Sequence, residues 1–405
     1  MTASRIQNQP ARPAQARRRW PAALLLLGAL GACDLDVTTP SRLKASDLDN
    51  PGSAQLLVDG AEADFQCAYG DYVVVSGLIA GELADASQTA SRWSYDRRVI
   101  DPSESHYALE SCEGLGVYTP LQTARFSNVG TLRKLQAWTD EQVPNRQRLI
   151  AQTAAYAGYS LVMLGEGFCR APAETNGPAL DQTALFAKAE EHFATAIAAA
   201  QAAGSDAEAA SLLDLAYVGR ARARLDQGKE SEAAADAALV PASFVYALAT
   251  FSTASRLENR VYSENNKAVQ VNVGASYQKP DSFAVAFAPS RTDGRGDPLW
   301  VQQKYLDLDA PYVLASGAEA RLIRDEALGA LTTAQIVGAR RQQLFLQGTR
   351  LFDIQRFRRE NVALVPLDPP VGAAYPNGGR YGDLGGNMCM PLPDIERFNN
   401  PNIGV

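Results

Sequence analysis

The clearest pattern in the chain is a helical repeat of apolar side chains near its centre. Between residues 146 and 168 these side chains recur every three or four positions, at Ile150, Ala154, Ala157, Leu161 and Leu164. The segment 181–203 has the same spacing, at Phe186, Ala189, Phe193, Ile197 and Ala200. An apolar stripe with this period predicts two amphipathic helices, each of which buries one face.

Two further helices are predicted directly after this pair. One begins near Ala207, and the next runs from Glu230 to Val240 and ends at Pro241, because a proline cannot continue a helix. Paired antiparallel helices with small residues at their crossing and a closing proline are typical of tetratricopeptide-type hairpins. A generic helical bundle is the alternative interpretation.

Helical spacing continues on both sides of this centre. The apolar positions predict helical segments at residues 52–64, 72–83, 311–328 and 332–359. We therefore expect a mainly α fold in a single domain that spans residues 51–405. Its helical frame would comprise residues about 146–240 and 311–359.

Two segments interrupt the helical pattern. Residues 241–310 are rich in Ser, Thr, Asn, Gly and Pro and contain two short alternating runs, at 268–273 and 283–287. They predict a loop-rich excursion that carries short strands. Residues 360–405 are rich in glycine and proline and predict an extended C-terminal segment, which either packs over the helices or is mobile.

The N-terminus has the three zones of an export signal. Five arginines and no acidic residue accompany an apolar run at residues 20–30, which is too short to span a bilayer as a stable helix. The sequence Leu30-Gly31-Ala32-Cys33 resembles the bacterial lipobox, in which the thiol receives diacylglycerol before cleavage. We predict a signal peptide at 1–32, lipid on Cys33 and a tether at 33–50. A plain signal peptide with an incidental cysteine is the alternative.

The charge balance excludes one class of partner. The whole chain has a formal net charge of −7. Without residues 1–32 it contains 33 basic and 45 acidic residues, which corresponds to −12. Nucleic-acid binding needs a basic surface that contacts phosphates, so the sequence predicts no nucleic-acid partner.

The cysteines beyond the leader point to disulfides. Four of them follow Cys33, at Cys67, Cys112, Cys169 and Cys389. An exported chain meets an oxidising compartment, and an even number of cysteines permits two disulfides. Three pairings are possible, of which we favour Cys67–Cys112 together with Cys169–Cys389.

Motifs for catalysis and for cofactor binding are sparse. The chain has two histidines, His106 and His192, and no Cys-x-x-Cys pair, so we predict no metal site. It has no Gly-x-Ser-x-Gly motif and no glycine-rich phosphate loop, so we predict neither an enzyme nor a cofactor. A glycosidase-type pair of carboxylates is the catalytic alternative, because acidic residues are plentiful.

Several segments, in their order along the chain, resemble motifs of the SusD/RagB family of outer-membrane nutrient-binding lipoproteins. A lipobox, an alanine- and tyrosine-bearing helix that ends in glycine, an Ala-Glu-Ala helix, a Gly-x-Arg-x-Phe-Asp helix and a Pro-rich ending with Asn-Pro-Asn carry the resemblance. They lie at Cys33, 154–165, 318–327, 340–356 and 390–402. The resemblance covers most of the chain after Cys33 and implies a SusD-like fold.

The resemblance also implies a function. Family members bind oligosaccharides or other nutrients and cap a TonB-dependent outer-membrane transporter of the SusC type. We therefore expect a lipid-anchored, cell-surface binding protein of the outer membrane. Asp34 leaves the destination open, because an aspartate after the lipidated cysteine retains some lipoproteins in the inner membrane. A lipoprotein scaffold whose helices hold a protein partner is the alternative function.

Aromatic side chains are the expected ligand contacts, because sugar rings have apolar C–H faces and polar edges. Trp93 and Tyr95 lie in a polar segment beside Arg92 and Asp96 and are the first candidates. The other candidates are Tyr107, Tyr118 and Trp300. Packing in the core is the alternative role for each of them. We predict that Trp93→Ala weakens ligand binding and barely lowers the melting temperature.

Overall fold

Helices make up most of the described chain, so the predicted mainly α fold class is confirmed. The computed structural model describes residues 48–403 apart from 88–89, 105, 110–111, 113, 360–369 and 375–381. The α-helices are α1 Ala54–Ala80, α2 Ala90–Arg97, α3 His106–Leu109, α4 Tyr118–Ala137, α5 Arg146–Gly167, α6 Gln182–Ala202, α7 Ala207–Asp226, α8 Glu230–Ala237, α9 Gly317–Ala327, α10 Thr333–Gln343, α11 Arg350–Arg359 and α12 Asp394–Asn399. Within these ranges, none is long and apolar enough to cross a membrane. The predicted signal peptide and Cys33 lie outside the described residues.

Short strands pair in antiparallel twos between the helices. They are β1 Leu83–Asp85, β2 Arg170–Pro172, β3 Ala179–Asp181, β4 Val245–Leu248, β5 Val271–Val273, β6 Val285–Thr292, β7 Pro298–Gln302 and β8 Tyr312–Ser316. The pairs are β1 with β5, β2 with β3, β4 with β8, and β6 with β7. Strands β4–β7 and a π-helix at Tyr262–Lys267 lie in the segment 241–310, where loops and short strands were expected.

The centre of the fold is the packing of α5, α6 and α7. The side chains of Asp181 and Asp206 accept backbone hydrogen bonds at the N-termini of α6 and α7, so each helix begins where its apolar stripe begins. The fully buried ring of Phe193 on α6 lies against Gly158 of α5 and Gly219 of α7. A Cβ at Gly158 would come within 2.8 Å of this ring, so the close crossing requires glycine.

Buried ion pairs join helices to one another, both inside this centre and outside it. The Arg222 guanidinium of α7 holds the Glu166 carboxylate of α5 with two hydrogen bonds of 2.6 Å. The sequence predicts that Asp353 pairs with Arg350 or Arg356. The structure gives Asp353 two hydrogen bonds of 2.9 Å from Arg340 of α10, and Arg356 contributes a longer one of 3.4 Å. Asp353 therefore links α11 to α10 and does not pair only within its own helix.

Several predicted helix boundaries are wrong. Residues 52–64 and 72–83 fall largely within one helix, α1, which ends at Ala80. The first part of 311–328 is strand β8, and α9 begins after Ser316, whose hydroxyl accepts the Glu319 N–H at 3.2 Å. The segment 332–359 breaks between α10 and α11, where Gly348 has a φ of 75°. A left-handed residue cannot continue a right-handed helix.

Two disulfides fasten irregular segments to the helices. They join Cys67 to Cys112 and Cys169 to Cys389, with Cα–Cα distances of 5.5 and 5.0 Å. These are the pairings favoured from the sequence. Cys169 also donates its N–H to the Met390 carbonyl at 2.9 Å. Within residues 382–403 the C-terminal segment therefore packs over the helices, but it is not extended throughout, because it contains the short helix α12.

Candidate functional site

A cleft of about 340 Å³ lies where the irregular segment 241–310 meets the end of α1, β1 and α2. Its polar and aromatic lining comes from distant parts of the chain, namely Asp96, Asn272, Gln278, Arg295, Asp297 and Trp300. We call it the Trp300 cleft. It contains Trp300, one of the aromatic candidates from the sequence.

The hairpin of β6 and β7 places Trp300 in the lining of this cleft and Phe287 beside Trp300. Phe287 and Trp300 are partners in the strand register, and their ring centroids are 5.5 Å apart. The Phe287 side chain is 48% exposed, although it is large and apolar, while Trp300 is half-buried. Neighbouring rings that stay accessible offer a surface on which a flat apolar face can stack.

A tight turn at residues 293–297 holds the charged lining of the cleft. Asp293 is buried and accepts hydrogen bonds from the N–H groups of Arg295 and Asp297, at 2.9 and 3.0 Å, and from the Arg295 guanidinium at 3.0 Å. Burial opposes the charge of Arg295, but the adjacent Asp293 outweighs it and raises the pKa of the guanidinium. Arg295 is therefore a fixed cationic donor at the cleft.

Two buried asparagines make hydrogen bonds to the backbone of β7 that a neighbouring strand would otherwise make. Asn272 accepts the N–H of Trp300 at 2.9 Å and donates to the Pro298 carbonyl at 3.0 Å. Asn265 donates to the Trp300 carbonyl at 3.1 Å and accepts the Gln302 N–H at 2.8 Å. This amide clamp, formed by Asn265 and Asn272, satisfies the backbone of β7 and fixes the position of Trp300.

The arrangement suits binding of a polyhydroxylated ring. The aromatic pair supplies an apolar face, Arg295 supplies donors, and the half-exposed Asp297 carboxylate supplies acceptors. Asp96 also lines the cleft, and it accepts the N–H of Asp85 at 3.1 Å. Among the described residues, no group of three or more His, Cys, Asp or Glu side chains is placed to hold a metal ion.

The structure separates the five aromatic candidates. Tyr95 and Tyr107 lie on helices α2 and α3 and are fully buried, with hydroxyls that donate to the carbonyls of Leu115 and Pro391. For these two residues the structure shows the alternative role, packing in the core, because α2 and α3 turn both rings inward.

The remaining three candidates lie in different places. Trp300 lines the cleft described above. Tyr118, the first residue of α4, lines a second cleft, of about 530 Å³. Trp93 is half-buried on α2 and lines neither cleft, while Asp96, three residues further along the same helix, reaches the first. The structure therefore brings together Asp96 and Trp300 and does not bring the aromatic candidates into one site.

Some lining residues of the Trp300 cleft that were not among the candidates do have a local signal in the sequence. Residues 293–297 read Asp-Gly-Arg-Gly-Asp, and a tryptophan follows three positions later. Glycines between charged residues predict a tight turn that presents polar side chains, and Gly296 indeed has a φ of 87°. Asn272 and Gln278, which also line the cleft, and Phe287, the neighbour of Trp300, carry no comparable local signal.

Comparisons with known proteins support the fold through structure and not through sequence. No family model matches the chain, and no curated protein matches it. A SusD superfamily protein from Bacteroides fragilis has a TM-score of 0.63 at 13% identity, over 88% of this chain and 99% of that one. Surface glycan-binding protein A from Bacteroides thetaiotaomicron, solved in complex with laminarihexaose, has a TM-score of 0.63 at 12% identity, over 87% and 98% of the two chains. This chain therefore has the SusD-like fold.

Proposed function

We propose that this protein is a carbohydrate-binding lipoprotein that captures oligosaccharides in the Trp300 cleft. The observation that carries the proposal is the aromatic pair Phe287 and Trp300 beside fixed donors and acceptors, Arg295 and Asp297 among them. Stacking on an aromatic ring buries the C–H face of a sugar, and the polar lining replaces water at its hydroxyls. A structurally similar protein was solved with laminarihexaose, so β-linked glucans are the first ligands to test.

The lining of the Trp300 cleft is held in place by the chain itself, which suits a receptor. The amide clamp fixes β7, and Asp293 accepts hydrogen bonds at both carboxylate oxygens, which holds the turn 293–297 in place. A binder whose contacts are already ordered loses less entropy when the ligand arrives. We therefore propose a receptor that holds its ligand unchanged and has no enzymatic activity.

The proposal includes a lipid anchor and a transport partner. Lipid on Cys33 would hold the protein at the outer membrane, facing the cell surface. A tether raises the effective concentration of the receptor at a neighbouring pore. The partner we propose is a TonB-dependent, SusC-like transporter that the receptor caps. Replacing Cys33 by serine should move the protein from the membrane to the soluble fraction.

The experiment uses the mature chain made without its lipid, residues 34–405. A glycan array should show a restricted set of bound oligosaccharides, and prolonged incubation with a bound glycan should release no shorter products. Phe287→Ala should weaken binding about two- to tenfold, because one ring of the pair is lost. Phe251→Ala is the matched control, since Phe251 lies in the same segment and is 46% exposed, but it is not the strand partner of Trp300, as Phe287 is. Equal affinities in these two variants, or turnover of the glycan, would contradict the proposal.

A scaffold for another protein is the second candidate function. Helices α6 and α7 pack as a hairpin, followed by α8 and α9, in the manner of tetratricopeptide-type pairs. Co-purification from gently solubilised membranes separates the two functions. A large β-barrel transporter in the complex supports the receptor, whereas a soluble or periplasmic assembly supports the scaffold.

A further inference from the structure

The second cleft lies between α4, the loop after β2 and α12, and it shares no lining residue with the Trp300 cleft. We call it the Tyr118 cleft. Its volume of about 530 Å³ is in the range of small-molecule pockets, ~300–1,000 Å³. The lining residues that matter for its chemistry are Tyr118, Gln122, Arg125, Phe126, Glu174 and Glu396.

Arg125 is a buried cation whose guanidinium is only partly satisfied. It is 5% exposed, and its Nε donates to the Gln122 Oε1 at 2.7 Å. Within the described residues it makes no ion pair, in contrast to Arg222, which holds Glu166. Burial lowers the pKa of Arg125. Desolvating a cation without acceptors is costly, so oxygen atoms of a ligand would stabilise it.

Tyr118 lines the same cleft beside Arg125. The residue is 3% exposed, and its buried hydroxyl lies near the Glu396 carboxylate and the Gln122 side chain. Burial and the nearby Glu396 carboxylate raise the pKa of this hydroxyl, so it stays protonated. Tyr118 therefore forms part of the wall, and the donor of the cleft is Arg125.

The remaining chemistry of the cleft is that of a sugar site. Phe126 lines it with a ring that is 60% exposed, and such a ring can cover the apolar face of a pyranose. Glu174 and Glu396 offer carboxylate acceptors for hydroxyl groups. Two carboxylates against one guanidinium disfavour an anionic ligand, so a neutral sugar fits best.

The walls of the Tyr118 cleft are fastened to each other. Gln122 of α4 donates to the Pro172 carbonyl at 3.0 Å, which holds the helix against the loop. Asn400, directly after α12, donates to the Gly177 carbonyl at 2.9 Å, and Asn402 donates to the Asn176 carbonyl at 2.6 Å. The cleft is therefore formed before any ligand arrives.

We propose that the Tyr118 cleft is a second carbohydrate subsite, in which Arg125 donates to sugar oxygens, Glu174 and Glu396 accept from its hydroxyls and Phe126 stacks on the ring. The proposal rests on the proposed function for the class of ligand, but its location is independent of the Trp300 cleft. A second subsite would let one protein hold two glycan chains, or two stretches of one chain, at the same time, which raises avidity.

The test is a calorimetric titration of residues 34–405 with laminarihexaose. Trp300→Ala should remove the first subsite and leave a residual site, and adding Phe126→Ala should weaken that residual binding about tenfold. Phe398→Ala is the matched control, because Phe398 on α12 is 64% exposed and does not line the cleft. Arg125→Lys is the second variant. It keeps the charge, loses the planar fork and should weaken the residual site in the same way.

The outcomes separate the two proposals. Binding that Trp300→Ala removes completely would overturn the second subsite and leave the proposed function intact. Binding that survives Trp300→Ala and is lost with Phe126→Ala would support the second subsite. Unchanged sugar binding in Phe126→Ala, together with loss of a co-purifying protein, would overturn the subsite in favour of a protein contact. Absence of laminarihexaose binding to the native chain would overturn both proposals for this sugar.

Discussion

The helical centre and the irregular segment that carries the Trp300 cleft stabilise their buried polar groups in different ways. In the centre, carboxylates of one helix meet guanidinium groups of another, as Glu166 meets Arg222. In the irregular segment, asparagine amides replace a missing strand along β7. The comparison indicates that the centre is held by side chains that pair with side chains of another helix, whereas the cleft is held by side chains that bond to the backbone of another element.

The largest expected effect is the loss of the buried ion pair in the centre. Arg222→Ala leaves the Glu166 carboxylate buried without its partner and should lower the free energy of unfolding by about 3–5 kcal/mol. Arg220→Ala is the control, because Arg220 is more exposed and its partner Asp236 keeps Arg224. Urea unfolding of both variants checks the difference. Similar losses in the two would show that the centre does not depend on this pair.

Glu82, which lies between α1 and β1, should make the stability of the fold depend on pH. Burial raises the pKa of its carboxyl to about 7 from 4.5. The folded chain therefore holds a proton that the unfolded chain releases, and this contribution to stability is full below pH 4.5 and is lost as the pH rises through about 7. Relative to Glu82→Gln, the native chain should lose up to about 3 kcal/mol over this range. Parallel urea titrations at pH 5 and 7.5 test it, and a constant difference between the two proteins would refute it.

The next largest effect on stability is expected at Gly219, where α7 packs closely against Phe193 of α6. Gly219→Ala places a methyl group against the buried ring of Phe193 and should lower the free energy of unfolding by about 1–3 kcal/mol. Gly338→Ala on α10 is the control, since nothing lies within 4 Å of its Cβ position. There alanine should stabilise the helix by about 1 kcal/mol. The same sign in both variants would contradict the packing described for Phe193.

The amide clamp predicts an effect that is smaller on stability and larger on binding. Asn272→Ala removes the acceptor of the Trp300 N–H and the donor to the Pro298 carbonyl, which should cost about 1–2 kcal/mol of stability. Because Trp300 loses its fixed position, oligosaccharide affinity should fall by about tenfold or more. A titration at a temperature where the variant is fully folded separates the two effects. Unchanged affinity would mean that the clamp supports the fold alone.

The helical centre was easier to predict from the sequence than the irregular segment, because its structure follows from local patterns. Helices α5 to α8 were predictable because their apolar stripes and caps, such as Asp181, are local signals. The break at Gly348 and the strand β8 were missed, because tertiary packing overrides helical spacing there. Trp300 was recognised by its residue type. The clamp was not, because Asn272 and Trp300 are 28 residues apart and no periodic pattern connects them.

The two tryptophans proposed from the sequence test the central claim most directly. Trp300 lines the cleft, whereas Trp93 is half-buried on α2 and lines neither cleft. Each is replaced by alanine in the mature chain. Calorimetry then measures the affinity of each variant for the oligosaccharide that binds most tightly on the glycan array. Our account predicts a loss of about tenfold or more for Trp300→Ala and less than about threefold for Trp93→Ala. The reverse order of losses would contradict the Trp300 cleft as the carbohydrate site.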